Sequence, residues 1–318
     1  NPVWLMRQAG RYLPEFKEIR KANPNFIKLC LDHNLAQEIT LQPIKRFGFD
    51  AAIIFSDILM IPHGIGQSVE FKKNFGPSLG ALELNKLTNV SEKDLADRLS
   101  PVYKLLSSLK NSNDLKNRDL IGFVGAPWTL LVYMVNKVSP KNGLSQEFFK
   151  DEVLINEILI LLDKFIKAHI ENQIKAGATI IQIFDSWAGL IQNDFDKFLY
   201  NPTLSIVNHV KNLGVPVICF PRGISDYIKF TKIVKPSMIN IDYNVDPENL
   251  IKYLDIPIQG GLDPKILLSD KENLKKQVNK YLDIFKDHPY VFNLGHGILP
   301  ETEVDMVYEL VETVRSYK

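Results

Sequence analysis

Two arginines near the N-terminus are the side chains whose type and spacing most clearly suggest chemistry. Arg7 and Arg11 flank Gly10 and come directly after the apolar run at 3–6. A guanidinium is a planar fork that matches a carboxylate or phosphate group, and a glycine lets a ligand approach the backbone closely. The pattern predicts an anion-binding site. Two arginines at this spacing would equally suit an exposed helical pair held by weak surface ion pairs.

Other polar side chains also follow short apolar runs. Eight such runs occupy residues 3–6, 51–55, 120–124, 180–184, 215–220, 238–241, 256–259 and 291–294. The polar residues at or beyond these runs that could take part in chemistry, besides the two arginines, are Asp57, Tyr133, Ser186, Arg222, Asp242 and His296.

The runs are typical of parallel strands that are buried on both faces. Helix-length amphipathic segments separate them, at 34–46, 151–176, 194–213, 226–234, 272–285 and 301–317. About eight strand–helix units predict an α/β fold, a single (β/α)8 TIM-type barrel of parallel strands with its active-site cleft at the C-terminal rim. A doubly wound open sheet is the main alternative, although fewer of its loops would converge on one pocket. The excursion at 64–85 suggests a β-hairpin.

Composition indicates one domain. No linker rich in proline, glycine or serine divides the 318 residues, so we expect a single domain over 1–318. Because the chain begins without methionine, we expect a few further N-terminal residues in the natural protein. Cys30 and Cys219 lack metal-ligand spacing and are too few for a disulfide framework, which suggests buried thiols in a reducing cytoplasm.

Membrane and nucleic-acid functions receive no support from the sequence. The uncharged stretch at 120–135 is shorter than the roughly 20 residues of a membrane helix, and no signal peptide is recognisable. The net charge is only +1, and the lysines are dispersed rather than gathered with aromatic residues on one face. We therefore predict that the protein binds neither a membrane nor nucleic acid.

The sequence also lacks the common cofactor motifs. It contains no G-x-x-x-x-G-K-[ST], H-E-x-x-H, G-x-S-x-G or G-x-G-x-x-G pattern, which argues against nucleotide cofactors and simple zinc hydrolysis. No lysine ends any of the eight runs, which argues against Schiff-base chemistry. These absences weaken functions that depend on a nucleotide cofactor, a simple zinc site or a Schiff base.

Several motifs together resemble one enzyme family. They are Met-Arg-Gln-Ala-Gly-Arg-Tyr-Leu-Pro-Glu-Phe at 6–16, Ala-Ala-Ile-Ile-Phe-Ser-Asp-Ile-Leu at 51–59, Gly-Ala-Pro-Trp-Thr at 125–129, Phe-Asp-Ser-Trp-Ala-Gly at 184–189 and Phe-Asn-Leu-Gly-His-Gly at 292–297. These segments closely resemble the uroporphyrinogen decarboxylase family in its bacterial form, and the resemblance runs essentially from the first residue to the last.

The resemblance implies a cofactor-free (β/α)8 barrel, usually a homodimer. Members of the family convert the four acetate side chains of uroporphyrinogen III to methyl groups in haem biosynthesis, giving coproporphyrinogen III and carbon dioxide. The resemblance therefore implies a large polycarboxylate substrate, which is consistent with the anion site inferred from the arginines.

The resemblance also implies a set of site residues. The substrate-binding residues carried over by motif are Arg7, Gln8, Ala9, Gly10, Arg11, Asp57, Tyr133, Ser186 and His296, where positions 8–10 contribute through their backbone. Of these, Asp57, Arg7 and Arg11 are the implied catalytic residues. An ionised Asp57 would accept hydrogen bonds from the pyrrole N–H groups and stabilise positive charge on the ring.

The arginines would hold carboxylates, and the proton source is assigned to Arg7 or to an arginine-bound water. Tyr133, Ser186 and His296 would hydrogen-bond acetate or propionate groups, and His296 would titrate near a pH of about 6.5. Simpler roles stay open, because Asp57 could cap a helix, Ser186 could form a turn and Tyr133 could merely pack. The sequence assigns no role to Arg222.

Two other functions remain possible at this point. A related group of barrels transfers methyl groups with zinc held by an H-x-C pair and another cysteine, but Cys219 has Val217 rather than histidine two positions earlier. From a different class, the chain could be a tetrapyrrole carrier that keeps the pocket without turnover. All the expected catalytic residues are present, which disfavours the carrier.

Overall fold

Seven parallel strands form one curled sheet in the computed structural model of the chain, which describes residues 1–72, 75–140, 143–144 and 146–317. The strands, with a separate hairpin of β2 and β3, are β1 Ala51–Ile53, β2 Val69–Lys72, β3 Gly76–Leu79, β4 Asp119–Gly125, β5 Ile180–Asp185, β6 Val217–Pro221, β7 Met238–Ile241, β8 Ile258–Gly260 and β9 Tyr290–Val291. The sheet order is β1-β4-β5-β6-β7-β8-β9, and every neighbouring pair is parallel.

The N-terminal segment joins the two edges of this sheet. Val3 forms a parallel bridge with Phe292, just beyond β9, and the N–H of Asp50 donates to the carbonyl of Val3 at 3.0 Å, just before β1. The sheet therefore curls into a barrel whose eighth position is filled by the run at 3–6. The predicted (β/α)8-type barrel is confirmed, and the open-sheet alternative is wrong.

The run at 3–6 differs from the prediction in one respect, because it contributes a single bridge rather than a strand. Side chains take three of its backbone donors. The N–H of Val3 donates to Asp50 Oδ2 at 2.8 Å, that of Leu5 to Gln8 Oε1 at 3.1 Å and that of Met6 to Asn293 Oδ1 at 2.9 Å. These bonds replace the ladder bonds of a regular strand.

Helices follow most of the strands. The α-helices are α1 Pro14–Ala22, α2 Phe26–Cys30, α3 His33–Phe47, α4 Met60–Gly64, α5 Leu84–Thr88, α6 Glu92–Arg98, α7 Ser100–Lys110, α8 Pro127–Asn136, α9 Glu152–Ala176, α10 Asn201–Asn212, α11 Tyr227–Val234, α12 Pro247–Leu250, α13 Lys271–Ile284 and α14 Val304–Ser316. Short 3-10 turns lie at Asn113–Leu115, Gln146–Phe149, Ala188–Leu190 and Pro264–Leu268, and a π-helix lies at Asp196–Tyr200.

The six predicted helical segments each contain a helix, and aspartates cap two of these helices. The side chain of Asp151 accepts the N–H of Leu154 at the start of α9, and that of Asp226 accepts the N–H of Lys229 at the start of α11. The segment at 194–213 is divided, because Pro202 in the first turn of α10 lacks the N–H that a continuous helix needs. The π-helix precedes it.

The helices pack their apolar faces on the sheet and hold it at specific points. In α9, Gln173 accepts the N–H of Phe123 at 2.9 Å and donates to its carbonyl at 3.1 Å, so it binds the main chain of β4. Cys30 and Cys219 are free thiols and are buried, as predicted. Among the residues that the structure describes, no helix is long and apolar enough to cross a membrane.

The excursion at 64–85 forms the predicted hairpin. β2 and β3 pair in antiparallel fashion, from Val69 opposite Leu79 to Lys72 opposite Gly76. The connecting positions 73 and 74 lie outside the described residues. The hairpin is tied to the end of α8, because the N–H of Leu79 donates to the carbonyl of Lys137 at 2.7 Å.

Candidate active site

The residues around Arg7 and Arg11 form a turn directly after the run at 3–6. Arg7 has a φ of +62°, and the helix that follows begins only at Pro14. The interpretation of Arg7 and Arg11 as a helical pair with surface ion pairs is therefore wrong. Neither guanidinium has a carboxylate within 4.0 Å among the described residues. Both arginines are exposed to solvent. The surrounding protein still partly desolvates Arg7, and this desolvation, followed by the charge of Arg11, lowers the pKa of Arg7.

Gln8 anchors this turn from inside the protein. Its side chain is fully buried, accepts the N–H of Leu5 and donates to the carbonyl of Ala51 at 3.1 Å. Its carbonyl accepts the hydroxyl of Tyr12 at 2.8 Å. Gln8 therefore fixes the turn to β1, and its side chain is turned away from any ligand at the rim.

The three backbone N–H groups that follow Gln8 are not used to hold the turn. The N–H groups of Ala9, Gly10 and Arg11 donate to no acceptor in the part of the chain that the structure describes. Ala9 and Gly10 are half-buried. Successive free N–H groups beside guanidinium groups form a site suited to an anion.

Asp57 lies in a loop after β1 and faces Arg7. Its Oδ1 accepts the N–H of Leu59 at 2.8 Å, which closes a turn before α4. The N-cap of α4 is Leu59 and the helix has no side-chain cap, so the helix-capping role considered for Asp57 is wrong. Burial raises the pKa of Asp57 to about 6, while the hydrogen bond from Leu59 and the charge of Arg7 act in the opposite direction. The carboxyl group is therefore largely ionised at neutral pH.

His296 completes the arrangement from the last barrel position. The N–H of Gly297 donates to its Nδ1 at 2.6 Å, which leaves Nε2 as the protonated nitrogen of the neutral ring. Burial, followed by the positive charges of Arg7 and Arg222, lowers the pKa of His296 to about 3. The expectation that His296 titrates near pH 6.5 is wrong for the protein without a ligand.

Tyr133 lies on α8 and points to the same region. It is 8% exposed, and its pKa is raised by burial, while the charges of Asp57 and Arg7 also act on it. Its hydroxyl lies 3.5 Å from Ser139 Oγ, and its ring packs on Trp187 with 5.9 Å between centroids. Tyr133 therefore packs in the protein and also takes part in the electrostatics of the cluster.

Ser186 is half-buried directly after β5. Ser186 directly precedes Trp187, whose ring packs on Tyr133. Within the described residues Ser186 makes no hydrogen bond with the arginines. The segment is held by Thr129, whose Oγ1 donates to Asp185 Oδ1 at 2.6 Å and accepts the N–H of Trp187 at 3.1 Å. The motifs at 125–129 and 184–189 thus form one connected unit.

Sequence reasoning did not assign Arg222 to the site. The structure brings its charge near Arg7 and His296. The available signal was its position directly after the run at 215–220, which places it at the same rim. Asp242, another of the polar residues considered for chemistry, has a role in the loops instead, since its Oδ2 accepts the N–H of Gly223 at 2.7 Å.

The described part of the chain has no group of three or more histidine, cysteine, aspartate or glutamate residues arranged to hold a metal ion. Cys219 lies within β6 and is only 1% exposed. The described residues therefore do not supply the zinc ligands that the methyltransferase interpretation requires.

Comparisons of the sequence with a family model and with known proteins agree with one another. A family model described as uroporphyrinogen decarboxylase (URO-D) matches residues 1–317. A protein named uroporphyrinogen decarboxylase from Rickettsia bellii is 42% identical over 324 residues, covering 100% of this chain and 95% of the relative. One of the same name from Rickettsia felis is 40% identical and covers 100% and 93%.

Solved structures with a similar fold are more distant in sequence. A methyltransferase from Methanosarcina mazei superimposes with a TM-score of 0.73 at 15% identity, covering 93% of this chain and 89% of that one. A putative vitamin-B12-independent methionine synthase from Listeria monocytogenes gives a TM-score of 0.54 at 15% identity, with coverage of 89% and 85%. At these identities the likeness establishes only the barrel fold.

Proposed function

Because the chain belongs to the uroporphyrinogen decarboxylase family, we propose that it decarboxylates the four acetate side chains of uroporphyrinogen III, giving coproporphyrinogen III and carbon dioxide in haem biosynthesis. The observation that carries this proposal is the charge arrangement at the rim of the barrel. Arg7 and Arg11 lack a carboxylate partner among the described residues, and a single carboxylate, Asp57, interacts with Arg7.

The arginine turn suits a polycarboxylate. We assign substrate carboxylates to Arg7, Arg11 and the free N–H groups at 9–11, with Gln8 acting through the turn it holds in place. Each charge-assisted hydrogen bond contributes on the order of 1.5 to 3 kcal/mol. The substrate itself then supplies the negative charge that the two guanidinium groups lack in the unliganded protein.

Asp57 is suited to bind the centre of the macrocycle. The four pyrrole N–H groups of a porphyrinogen can converge on one acceptor, and an ionised carboxylate accepts several hydrogen bonds. A carboxylate held in a largely desolvated position also stabilises positive charge on the ring more strongly than one in water. Asp57 is therefore assigned as acceptor and electrostatic stabiliser.

The reaction needs an acceptor for the electrons of the breaking C–C bond. Protonation of a pyrrole carbon makes an iminium-like ring, which accepts these electrons as carbon dioxide leaves. A proton added to the resulting exocyclic methylene, with loss of the proton from the ring carbon, gives the methyl group. Each acetate carboxylate thus consumes one proton and releases one carbon dioxide molecule.

The proton source is assigned to Arg7 or to a water bound to it. An ordinary arginine is a poor acid, but partial desolvation and the charge of Arg11 lower the pKa of Arg7. Either Arg7 or its water would lie beside the developing positive charge that Asp57 stabilises.

The remaining site residues are assigned to the side chains of the substrate. Tyr133, Ser186 and the Nε2–H of His296 would hydrogen-bond acetate or propionate groups around the rim. We further propose that the protein acts as a single domain over 1–318 and as a homodimer, without a cofactor or metal. The buried thiols and the low net charge support a cytoplasmic enzyme that binds neither nucleic acid nor a membrane.

The proposal is tested by incubating the purified protein anaerobically with uroporphyrinogen III, oxidising the products and separating the porphyrins by carboxyl number. Stepwise loss of carboxyl groups down to coproporphyrin is expected. Asp57→Ala and Arg7→Ala should stop turnover, whereas Asp97→Ala, which changes an exposed aspartate on α6, should not. Folded protein that binds the substrate and leaves it unchanged would instead identify a tetrapyrrole carrier.

A further inference from the structure

Arg222 brings a third guanidinium to the rim, directly after β6. Its charge acts on Arg7 and on His296, so the three side chains share one region although they come from different parts of the chain. Arg222 is half-buried. The proposed function does not use it.

The backbone at Arg222 is held from both sides. Its N–H donates to the carbonyl of Asp185 at 3.1 Å, and its carbonyl accepts the N–H of Gly189 at 3.0 Å. Gly189 and Gly223 touch closely, because a Cβ on Gly189 would lie 2.7 Å from the carbonyl oxygen of Gly223. These contacts fix the direction in which the side chain of Arg222 leaves the strand.

Asp242 holds the next residue of the turn and does not neutralise the arginine. Its Oδ2 accepts the N–H of Gly223 at 2.7 Å and the hydroxyl of Tyr227 at 3.2 Å, and its Oδ1 accepts the N–H of Asn244 at 2.8 Å. Neutral donors thus occupy both oxygens. Within the described ranges, no carboxylate oxygen lies within 4.0 Å of the Arg222 guanidinium.

A guanidinium that has no counter-ion and whose charge reaches a second guanidinium is unfavourable unless an anion binds there. The backbone of Arg222 is nevertheless held in this position by its hydrogen bonds with Asp185 and Gly189, and Asp242 holds the residue that follows. We propose that Arg222 binds a carboxylate of the substrate, together with Arg7 and Arg11. This inference rests on the proposed function, and the ligand group is an acetate or a propionate of the tetrapyrrole.

The test compares Arg222→Gln and Arg222→Lys with Lys232→Gln, which removes the same charge from an exposed position on α11. Steady-state turnover of uroporphyrinogen III gives KM and kcat, and anaerobic titration with coproporphyrinogen III gives Kd. Arg222→Gln should raise KM about tenfold to a hundredfold, as expected for one lost charge-assisted contact. Arg222→Lys should fall between it and the wild type, and Lys232→Gln should equal the wild type.

The two ligands distinguish the two carboxylates. Coproporphyrinogen III retains the propionates and lacks the acetates. If Arg222 binds a propionate, Arg222→Gln should therefore raise the Kd for coproporphyrinogen III by a similar factor. If Arg222 binds an acetate, Arg222→Gln should raise KM for uroporphyrinogen III and leave the Kd for coproporphyrinogen III unchanged. Either result supports the proposal.

A readout without substrate checks the placement of the charge. The pKa of His296, followed by NMR of its ring, should rise in Arg222→Gln and stay unchanged in Lys232→Gln. An active wild-type protein, together with an Arg222→Gln protein whose KM and Kd stay within about twofold of the wild type, would overturn the Arg222 proposal alone. A wild-type protein that neither binds nor converts uroporphyrinogen III would overturn the proposed function and the Arg222 proposal with it.

Discussion

The aliphatic stem of Arg7 lies directly on Gly297, so a glycine near the end of the chain positions an arginine near its beginning. A Cβ built on Gly297 would lie 2.6 Å from Arg7 Cγ and 2.8 Å from its Nε. The N–H of Ile298 donates to the carbonyl of Met6 at 2.9 Å, which holds the two segments together. Arg7 itself has a left-handed φ of +62°, which non-glycine residues adopt at a cost.

We expect Gly297→Ala to displace Arg7 while the protein still folds, because the colliding atoms belong to a side chain that can move. Loss of one charge-assisted contact should lower kcat/KM about tenfold or more. The measurement is kcat/KM together with the urea midpoint of unfolding. Because Arg7→Ala is expected to stop turnover, the double variant is compared by its Kd for coproporphyrinogen III. Gly297→Ala should raise this Kd when Arg7 is present and have little further effect in an Arg7→Ala background, because the colliding side chain is gone.

Gly295→Ala provides the contrasting variant. There the added Cβ would meet the main chain at Tyr243 and lie 2.8 Å from the carbonyl carbon of Asp242, and a backbone cannot rotate away. Gly295→Ala should therefore lower stability. Equal effects of Gly297→Ala on the Kd for coproporphyrinogen III with and without Arg7 would contradict the proposed contact.

The sequence predicted the barrel well because its information is local. Short runs of β-branched and apolar residues, separated by amphipathic segments, determine which segments become strands and helices. Asp151 and Asp226 likewise cap the helices that follow them within a few residues. The candidate rim followed from the same reasoning, since all the strands of such a barrel end at one face.

What the sequence did not predict depends on distant residues. The run at 3–6 looks like a strand, but Asp50 and Asn293 take its backbone donors from far along the chain. The low pKa of His296 likewise depends on its burial and on Arg7 and Arg222, which only the folded barrel brings near. Spacing along the chain carries no information about this convergence.

The pH dependence of catalysis should follow the ionisation of Asp57. Since burial raises its pKa to about 6 and the ionised form is the proposed stabiliser, kcat/KM should fall as the pH drops below about 6. A pH profile of kcat/KM from about pH 5 to 8 measures this limb. His296→Asn should be slower but keep the acid limb, because the pKa of His296 is near 3. Loss of the limb in that variant would contradict the assignment to Asp57.

His296 should stay neutral in the free protein and become more basic when ligand binds. Substrate carboxylates would offset the charges of Arg7 and Arg222, two of the causes that lower its pKa. NMR titration of the ring with and without coproporphyrinogen III measures the change. His169 is the matched control, because burial alone lowers its pKa to about 3. Free protein in which His296 titrates near its ordinary value of about 6.5 would contradict this account.

Asp185 should make the folded protein less stable as the pH rises. Its Oδ1 accepts the Thr129 hydroxyl, and its Oδ2 has no hydrogen-bond partner within the described chain. Burial raises the pKa of Asp185 to about 7, partly offset by the bonds with Thr129. The folded state therefore binds this proton more tightly than the unfolded state, whose aspartate has a pKa of about 3.9. The stabilisation is fully present below about pH 4 and is lost as the pH rises to about 7.

Asp185→Asn should remove this loss, because the amide oxygen can still accept the Thr129 hydroxyl and the side chain cannot ionise. Its free energy of unfolding relative to the wild type should improve by up to about 1.4 kcal/mol per pH unit between about pH 4 and 7. Thr129→Val removes the donor that favours the ionised carboxyl group, so the pKa of Asp185 should rise further. Its free energy of unfolding relative to the wild type should therefore fall as the pH rises above about 7. Urea unfolding at several pH values measures both slopes, and parallel curves for the wild type and Asp185→Asn would show that Asp185 ionises at the same pH in the folded and unfolded states.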